Sequence, residues 1–164
     1  MGLKQLLIIR HAKSSWALAG QDDFERPLND RGHRDAPIMA ERLLEKKVAI
    51  DVFISSPANR ALTTAGYFAK AYGFHKKDIL LFKELYHAMP QTFFEVLSKM
   101  ENTYKTAAIF SHNPGITAFV NELTSNLLDN MPTCAIFAVK ADCKDWKDFA
   151  IAKKSFWFFD YPKL

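Results

Sequence analysis

The chain has 164 residues, 49% of them hydrophobic and 24% charged. A chain of ~150 residues buries about 70% of its unfolded surface, so residues 1–164 read as a single domain with a substantial core. Twenty-two Lys and Arg against 18 acids give a formal charge of +4, a bias toward anionic ligands. With no lysine-rich block or basic-aromatic repeat, that bias does not extend to nucleic acid. The two cysteines, Cys134 and Cys143, fit no zinc or redox-pair spacing. The N-terminal apolar run is too short for a signal peptide or a membrane span, and Gly2 lacks a myristoylation pattern. The expectation is a cytoplasmic protein with both thiols reduced, away from membranes.

Leu6-Leu7-Ile8-Ile9 is a run of branched aliphatics, as a strand buried on both faces between helices requires. It stops at Arg10-His11. Ligands of open α/β sheets bind beyond the carboxyl ends of the strands, so this cation pair is a site candidate. Residues 13–32 are polar and rich in turn formers (Gly20, Asp22, Pro27, Asn29, Gly32) and read as a long loop. Ala36, Met39, Ala40, Leu43 and Leu44 then recur at helical spacing. Pro37 fits the first turn of a helix capped by Asp35, or would kink one begun at Asn29.

A second strand over 51–55 leads to Ser56-Pro57, an N-cap followed by a first-turn proline. The helix shows Ala61, Leu62, Ala65, Phe68, Ala69 and Tyr72 on one face and stops at Gly73. Arg60 falls in its first turn, where free amides and the helix dipole favour an anion. A short third strand over 79–82 is followed by Glu84, and a helix carries Phe93, Phe94, Val96, Leu97 and Met100. A fourth strand over 107–110 runs into Ser111-His112-Asn113-Pro114-Gly115, which repeats the passage from strand through turn to helix. Its helix would bury Ile116, Phe119, Val120, Leu123 and Leu127. Stretches 134–139, 146–151 and 155–159 read as further strands, and the aromatic run 156–159 as packing. The fold class is α/β: a three-layer sandwich with a mostly parallel central sheet, an antiparallel edge and helices on both faces.

Four successive strands therefore end in functional groups: Arg10 and His11, Arg60, Glu84, and His112. Right-handed crossovers would bring these ends to one edge. Two arginines and two histidines together describe a phosphoryl site, because guanidinium forks match phosphate oxygens and stay charged. Glycine-rich phosphate loops are absent, as is an acidic cluster for magnesium, so no metal and no cofactor is expected. The cations would neutralise the transferring group, and a neutral, oriented histidine could act as nucleophile.

Arg10-His11-Ala12-Lys13-Ser14, Arg26-Pro27-Leu28 with Arg31-Gly32, Ser55-Ser56-Pro57 through Arg60 to Thr64-Ala65, Glu84-Leu85, and Ser111-His112-Asn113-Pro114 occur in this order. In them the chain resembles the histidine phosphatase superfamily, which includes phosphoglycerate mutases and acid phosphatases. More closely it is similar to the short phosphohistidine phosphatase branch. The resemblance implies a phosphoglycerate mutase-like fold and a hydrolase that needs no metal. It makes His11 the nucleophile that becomes phosphorylated, places Arg10, Arg60 and His112 around the phosphate, and aligns Glu84 with the proton donor. Ser14 ranks below these as a phosphate contact. Two departures stand out: Ala12 replaces the glycine of the family triplet, and Trp16 is followed by Ala17 where mutases carry an asparagine.

Only 23 residues separate Arg60 from Glu84 and 27 separate Glu84 from His112, which leaves no room for a lid. An open pocket suits a phosphoryl group on a protein surface. The expected activity is therefore hydrolysis of phosphohistidine on phosphotransfer or signalling proteins, by a monomer. The alternatives are a phosphomonoesterase acting on small phosphate esters and a non-catalytic phosphohistidine-binding module. His33 and His75 read as surface residues; His87, three after Glu84, either borders the pocket or lies in a loop.

Overall fold

The computed structural model describes residues 2–16 and 20–163. Ala17, the residue that departs from the mutase pattern, lies outside them. Six strands, β1 (Lys4–Arg10), β2 (Val52–Ser55), β3 (Leu80–Leu81), β4 (Thr106–Ser111), β5 (Ile136–Ala141) and β6 (Lys154–Asp160), form one sheet in the order β3-β2-β4-β1-β5-β6. The first four run parallel, β5 is antiparallel to β1, and β6 antiparallel to β5. Side chains alternate across a strand. Accordingly Leu7 and Ile9 face α1 (Asp30–Glu45) and α2 (Asn59–Ala71), while Leu6 and Ile8 face α3 (Pro90–Ser98) and α4 (Gly115–Val120). The two buried clusters make the expected three layers, and the four parallel strands end on one edge. Among the described residues no helix is long and apolar enough to cross a membrane.

Several boundaries differ from the sequence expectation, each for a local reason. Of the two starts that the sequence leaves open for helix α1, the earlier holds: it begins at Asp30, where the Asn29 side chain accepts from the Gly32 amide (2.9 Å) and caps it, leaving Pro37 inside the helix. Gly32 is required there, because a Cβ would collide with the Lys13 carbonyl oxygen. The polar loop is correspondingly shorter and carries a bridge between Ser14 and Leu28 and a 3-10 turn at Asp23–Glu25. Helix α2 starts three residues after Ser56, whose hydroxyl is turned to His112 (2.7 Å).

Strand β3 has only two residues. Helix α4 ends at Val120, and Leu127 is exposed because Asn121 bonds both the amide and the carbonyl of Leu128 and turns the chain. The stretch 146–151 is not a strand. Trp146 opens a 3-10 turn and drops its indole into the core, where its N–H donates to the Tyr104 carbonyl (2.8 Å).

Candidate active site

The rim at the carboxyl ends of β1, β2 and β4 gathers His11, Arg60 and His112, each buried to within 6% of full. The imidazole rings of His11 and His112 stand with centroids 5.2 Å apart. His11 is held from several sides. Its amide donates to the Ser111 carbonyl (3.2 Å), and its Nδ1 lies 2.7 Å from the Ala12 carbonyl oxygen. A carbonyl only accepts, so Nδ1 carries the ring proton and Nε2 keeps its lone pair. The Ala12 amide in turn donates to the Thr64 hydroxyl (3.0 Å), which donates to the Arg60 carbonyl (2.8 Å). Helix α2 is thereby tied to the strand end. From the opposite side, the Cys134 amide, in a residue with φ of 60°, donates to the carbonyls of both Arg10 and His11 (3.1 Å each).

Burial and three arginines keep His11 neutral. Desolvation, then the charges of Arg10, Arg60 and Arg26, push its pKa down to about 3, against the opposing pull of the Ala12 carbonyl. His112 falls to about 2 through burial, His11 and Arg60. Its Nε2 meets the Ser56 hydroxyl (2.7 Å), which also accepts from the Ala58 amide (3.2 Å). Arg10 gives one Nη to the Met131 carbonyl (2.8 Å). What remains is unusual: among the described residues, three buried side-chain polar atoms have no partner, and they are Arg10 Nε, Arg60 Nε and His112 Nδ1. Buried polar groups are nearly always satisfied. Two guanidinium nitrogens and an imidazole nitrogen with free hydrogen-bonding capacity, in the side chains beside the His11 ring, suit an anion.

The chain loop over 20–29 closes the rim. Asp23 takes both ends of Arg60, through its backbone oxygen (2.7 Å) and its carboxylate (3.1 Å), and its carboxylate also accepts from Arg26 Nε (2.9 Å) and the Tyr86 hydroxyl (2.5 Å). These donors, Tyr86 first, hold the Asp23 carboxyl well below the usual range. The Tyr86 ring lies edge-on to His112 with centroids 5.5 Å apart. His87 sits beside Tyr86 and, with His112 and Gly115, lines a cavity of about 240 Å³, so it does border the site. Gly115 is fixed by close approach, since a Cβ there would strike the Ala88 carbonyl oxygen.

Two of the candidates stand outside this group. Glu84 is half-exposed and paired with Lys99 (3.6 Å), and the carboxylate that holds Arg60 is Asp23. Ser14 accepts from Arg26 Nη1 (2.8 Å), and among the described residues it makes no hydrogen bond to either histidine. No group of three His, Cys, Asp or Glu among the described residues could hold a metal.

The sequence model of the histidine phosphatase superfamily (branch 1) matches residues 6–87, half of the chain and the part that carries Arg10, His11 and Arg60. An uncharacterized protein of Mycobacterium leprae is 31% identical over 128 residues, 74% of each chain. The chain belongs to the histidine phosphatase superfamily. A chloroplastic uncharacterized protein of Arabidopsis thaliana is 26% identical over 163 residues, 94% of this phosphatase and 74% of its own length. Solved structures agree on the fold. SixA from Agrobacterium tumefaciens superposes with a TM-score of 0.82 at 24% identity, covering 98% of this chain and 99% of that one. The protein histidine phosphatase SixA complexed with tungstate gives 0.80 at 24% identity, with 96% of each chain covered.

The residues that sequence reading of this phosphatase missed are the supports: Asp23, Tyr86, Ser56, and Thr64 as a link between helix α2 and the His11 loop. A signal for Asp23 was present. An acidic pair, Asp22-Asp23, in a loop facing a rim of arginines has to find one of them.

Proposed function

We propose that this phosphatase hydrolyses phosphohistidine on proteins, in two steps through a phosphoryl group carried on His11. The observation that supports this most is the set of three orphaned nitrogens, Arg10 Nε, Arg60 Nε and His112 Nδ1, on two cations whose charge His11 feels and on the imidazole beside it, with the His11 proton committed to Ala12. In the first step the Nε2 lone pair of His11 attacks phosphorus as the nitrogen–phosphorus bond of the substrate breaks. The departing imidazole leaves neutral, with the proton already on its other ring nitrogen. The orphaned donors take up the charge on the equatorial oxygens. In the tautomer where Ser56 donates to His112 Nε2, His112 Nδ1 carries a proton and serves as one of them.

His11 retains its Nδ1 proton throughout, so phosphorylated His11 is a protonated phosphoramidate and a good leaving group. Water then attacks phosphorus, both its protons end on the released phosphate, and His11 returns to the neutral form. No step requires a carboxylic acid. That agrees with Glu84 resting on Lys99, whereas an alkoxide leaving from a phosphate ester would need a proton.

The test compares a histidine-phosphorylated protein with alkyl and sugar phosphates, with the reaction stopped under alkaline denaturing conditions for mass spectrometry. The expected result is faster turnover of the phosphoprotein and a phosphoryl group trapped on His11. Equal or faster turnover of the esters, or no phosphorylated enzyme during steady turnover, would overturn the reading.

A further inference from the structure

A second concave surface lies on the outer side of α2. It is a cleft of about 450 Å³ whose lining includes Thr63, Gly66, Tyr67, Lys70, Phe74 and Lys76. The floor is aromatic and the rim is cationic. Lys70, Lys76 and the adjoining Lys77 make no ion pair among the described residues. The nearby carboxylate, Asp78, is turned back to accept from the His75 amide (3.0 Å), and no acid lines the cleft.

Gly66 gives this surface its meaning. It sits in the middle of α2, where glycine costs helix stability relative to alanine. Gly32 and Gly115 are forced by backbone atoms that a Cβ would strike. Gly66 has no such reason: its φ is not positive, and a Cβ there would meet nothing within 4 Å. The space above it is open, and among the described residues nothing fills it. A glycine that weakens its helix and keeps a cleft floor bare fits close approach by something outside the chain.

The cleft also connects to the phosphate rim. Thr63 donates to the Asn59 side chain (3.0 Å), and Asn59 donates to the Glu25 carbonyl (3.0 Å) in the loop whose Asp23 holds Arg60. At 1.5 Å per residue, Lys70 stands about 15 Å along the helix from Arg60, within the footprint of one small protein partner.

We propose that this cleft is the docking surface for the phosphorylated protein, receiving an acidic segment of it over Gly66 while the phosphohistidine enters the rim. This rests on the protein-substrate reading above and adds what that partner must present: an acidic surface with a side chain or helix edge able to lie on Tyr67 and Phe74. Unpaired cations around a bare floor would steer such a partner and fix its register, mainly through the association rate.

The experiment uses a histidine-phosphorylated phosphotransfer domain of acidic surface, and free phosphohistidine, as parallel substrates. Two variants are measured against the parent, Gly66→Gln, which fills the floor with a good helix former, and Lys70→Glu with Lys76→Glu, which reverses the rim. Melting temperature is recorded for each, and Gly66→Ala serves as the helix-propensity control. For both variants, kcat/KM on the phosphoprotein is expected to fall about 10-fold with kcat held, and the charge reversal to flatten its salt dependence. Turnover of free phosphohistidine stays at the parental value. Unchanged kcat/KM on the phosphoprotein, or an equal loss on free phosphohistidine, overturns the docking surface and leaves the chemistry standing. If the parent hydrolyses free phosphohistidine but not the phosphoprotein, the protein-substrate reading fails and the docking surface with it.

Discussion

The two halves of the candidate rim are built differently. One half comes from strand ends: His11, His112 and Arg60 are buried, and each is fixed by a backbone carbonyl, a hydroxyl or a helix start. The other half comes from loops: Asp23, Tyr86, His87 and Glu84 lie in segments 20–29 and 83–88, more exposed and joined by side-chain bonds. Burial makes the first half chemically committed, holding both imidazoles neutral. The loop half can adjust, and its carboxylate on Arg60 is the group nearest in charge to a phosphate.

The contrast is sharpest at His11. Replacing it with alanine is expected to abolish turnover and the trapped phosphoryl enzyme together, measured as phosphate release; residual turnover above about 10⁻³ of the parent would move the nucleophile elsewhere. The next effect is thermodynamic. His11 and His112 have folded pKa values near 3 and 2, below the unfolded value of ~6.5. Between those limits the unfolded chain binds protons that the folded chain refuses, so stability rises with pH and is lost as pH falls from ~6.5 toward 3. The slope is up to about 1.4 kcal/mol per pH unit for each histidine. Urea denaturation at pH 7, 6 and 5 checks it, and His112→Gln should flatten the dependence.

Arg60→Ala and His112→Ala are each expected to cut kcat/KM by on the order of 10²-fold or more, the size of a lost transition-state donor. Asp23→Asn touches the loop half and should cost about 10-fold, by loosening Arg60; a loss as large as that of Arg60→Ala would place Asp23 with the committed half. The smallest effect is Glu84→Gln, expected to change phosphohistidine turnover by no more than about 2-fold and stability by less than about 1 kcal/mol, as befits an exposed pair. A 10²-fold loss would bring that carboxylate into the reaction.

The same division explains what could be read from the amino acids alone. Leu6 to Ile9 and residues 107–110 are unbroken apolar runs, so the strands and the groups at their ends followed from hydrophobic pattern and chain direction. Asp23 and Tyr86 are polar residues in irregular segments, and only the folded path of the loop brings the first onto Arg60 and the second onto His112. Trp146 misled the reading for a related reason. A short stretch holding Trp146, Phe149 and Ile151 looks like a strand, and a single indole N–H with a buried acceptor decided otherwise. Helix α1 turned on one cap, Asn29, outweighing the proline eight residues later.

The contacts of Cys134 and Met131 carry a consequence for how the protein comes into being. A nascent chain that has emerged as far as residue 113 already holds every cation and imidazole of the rim, yet the backbone of Arg10-His11 is still missing its anchor and Arg10 its carbonyl acceptor. Competence is delayed until synthesis has passed residue 134 and β5 has zipped onto β1, so prematurely terminated products would carry the reactive groups without their alignment.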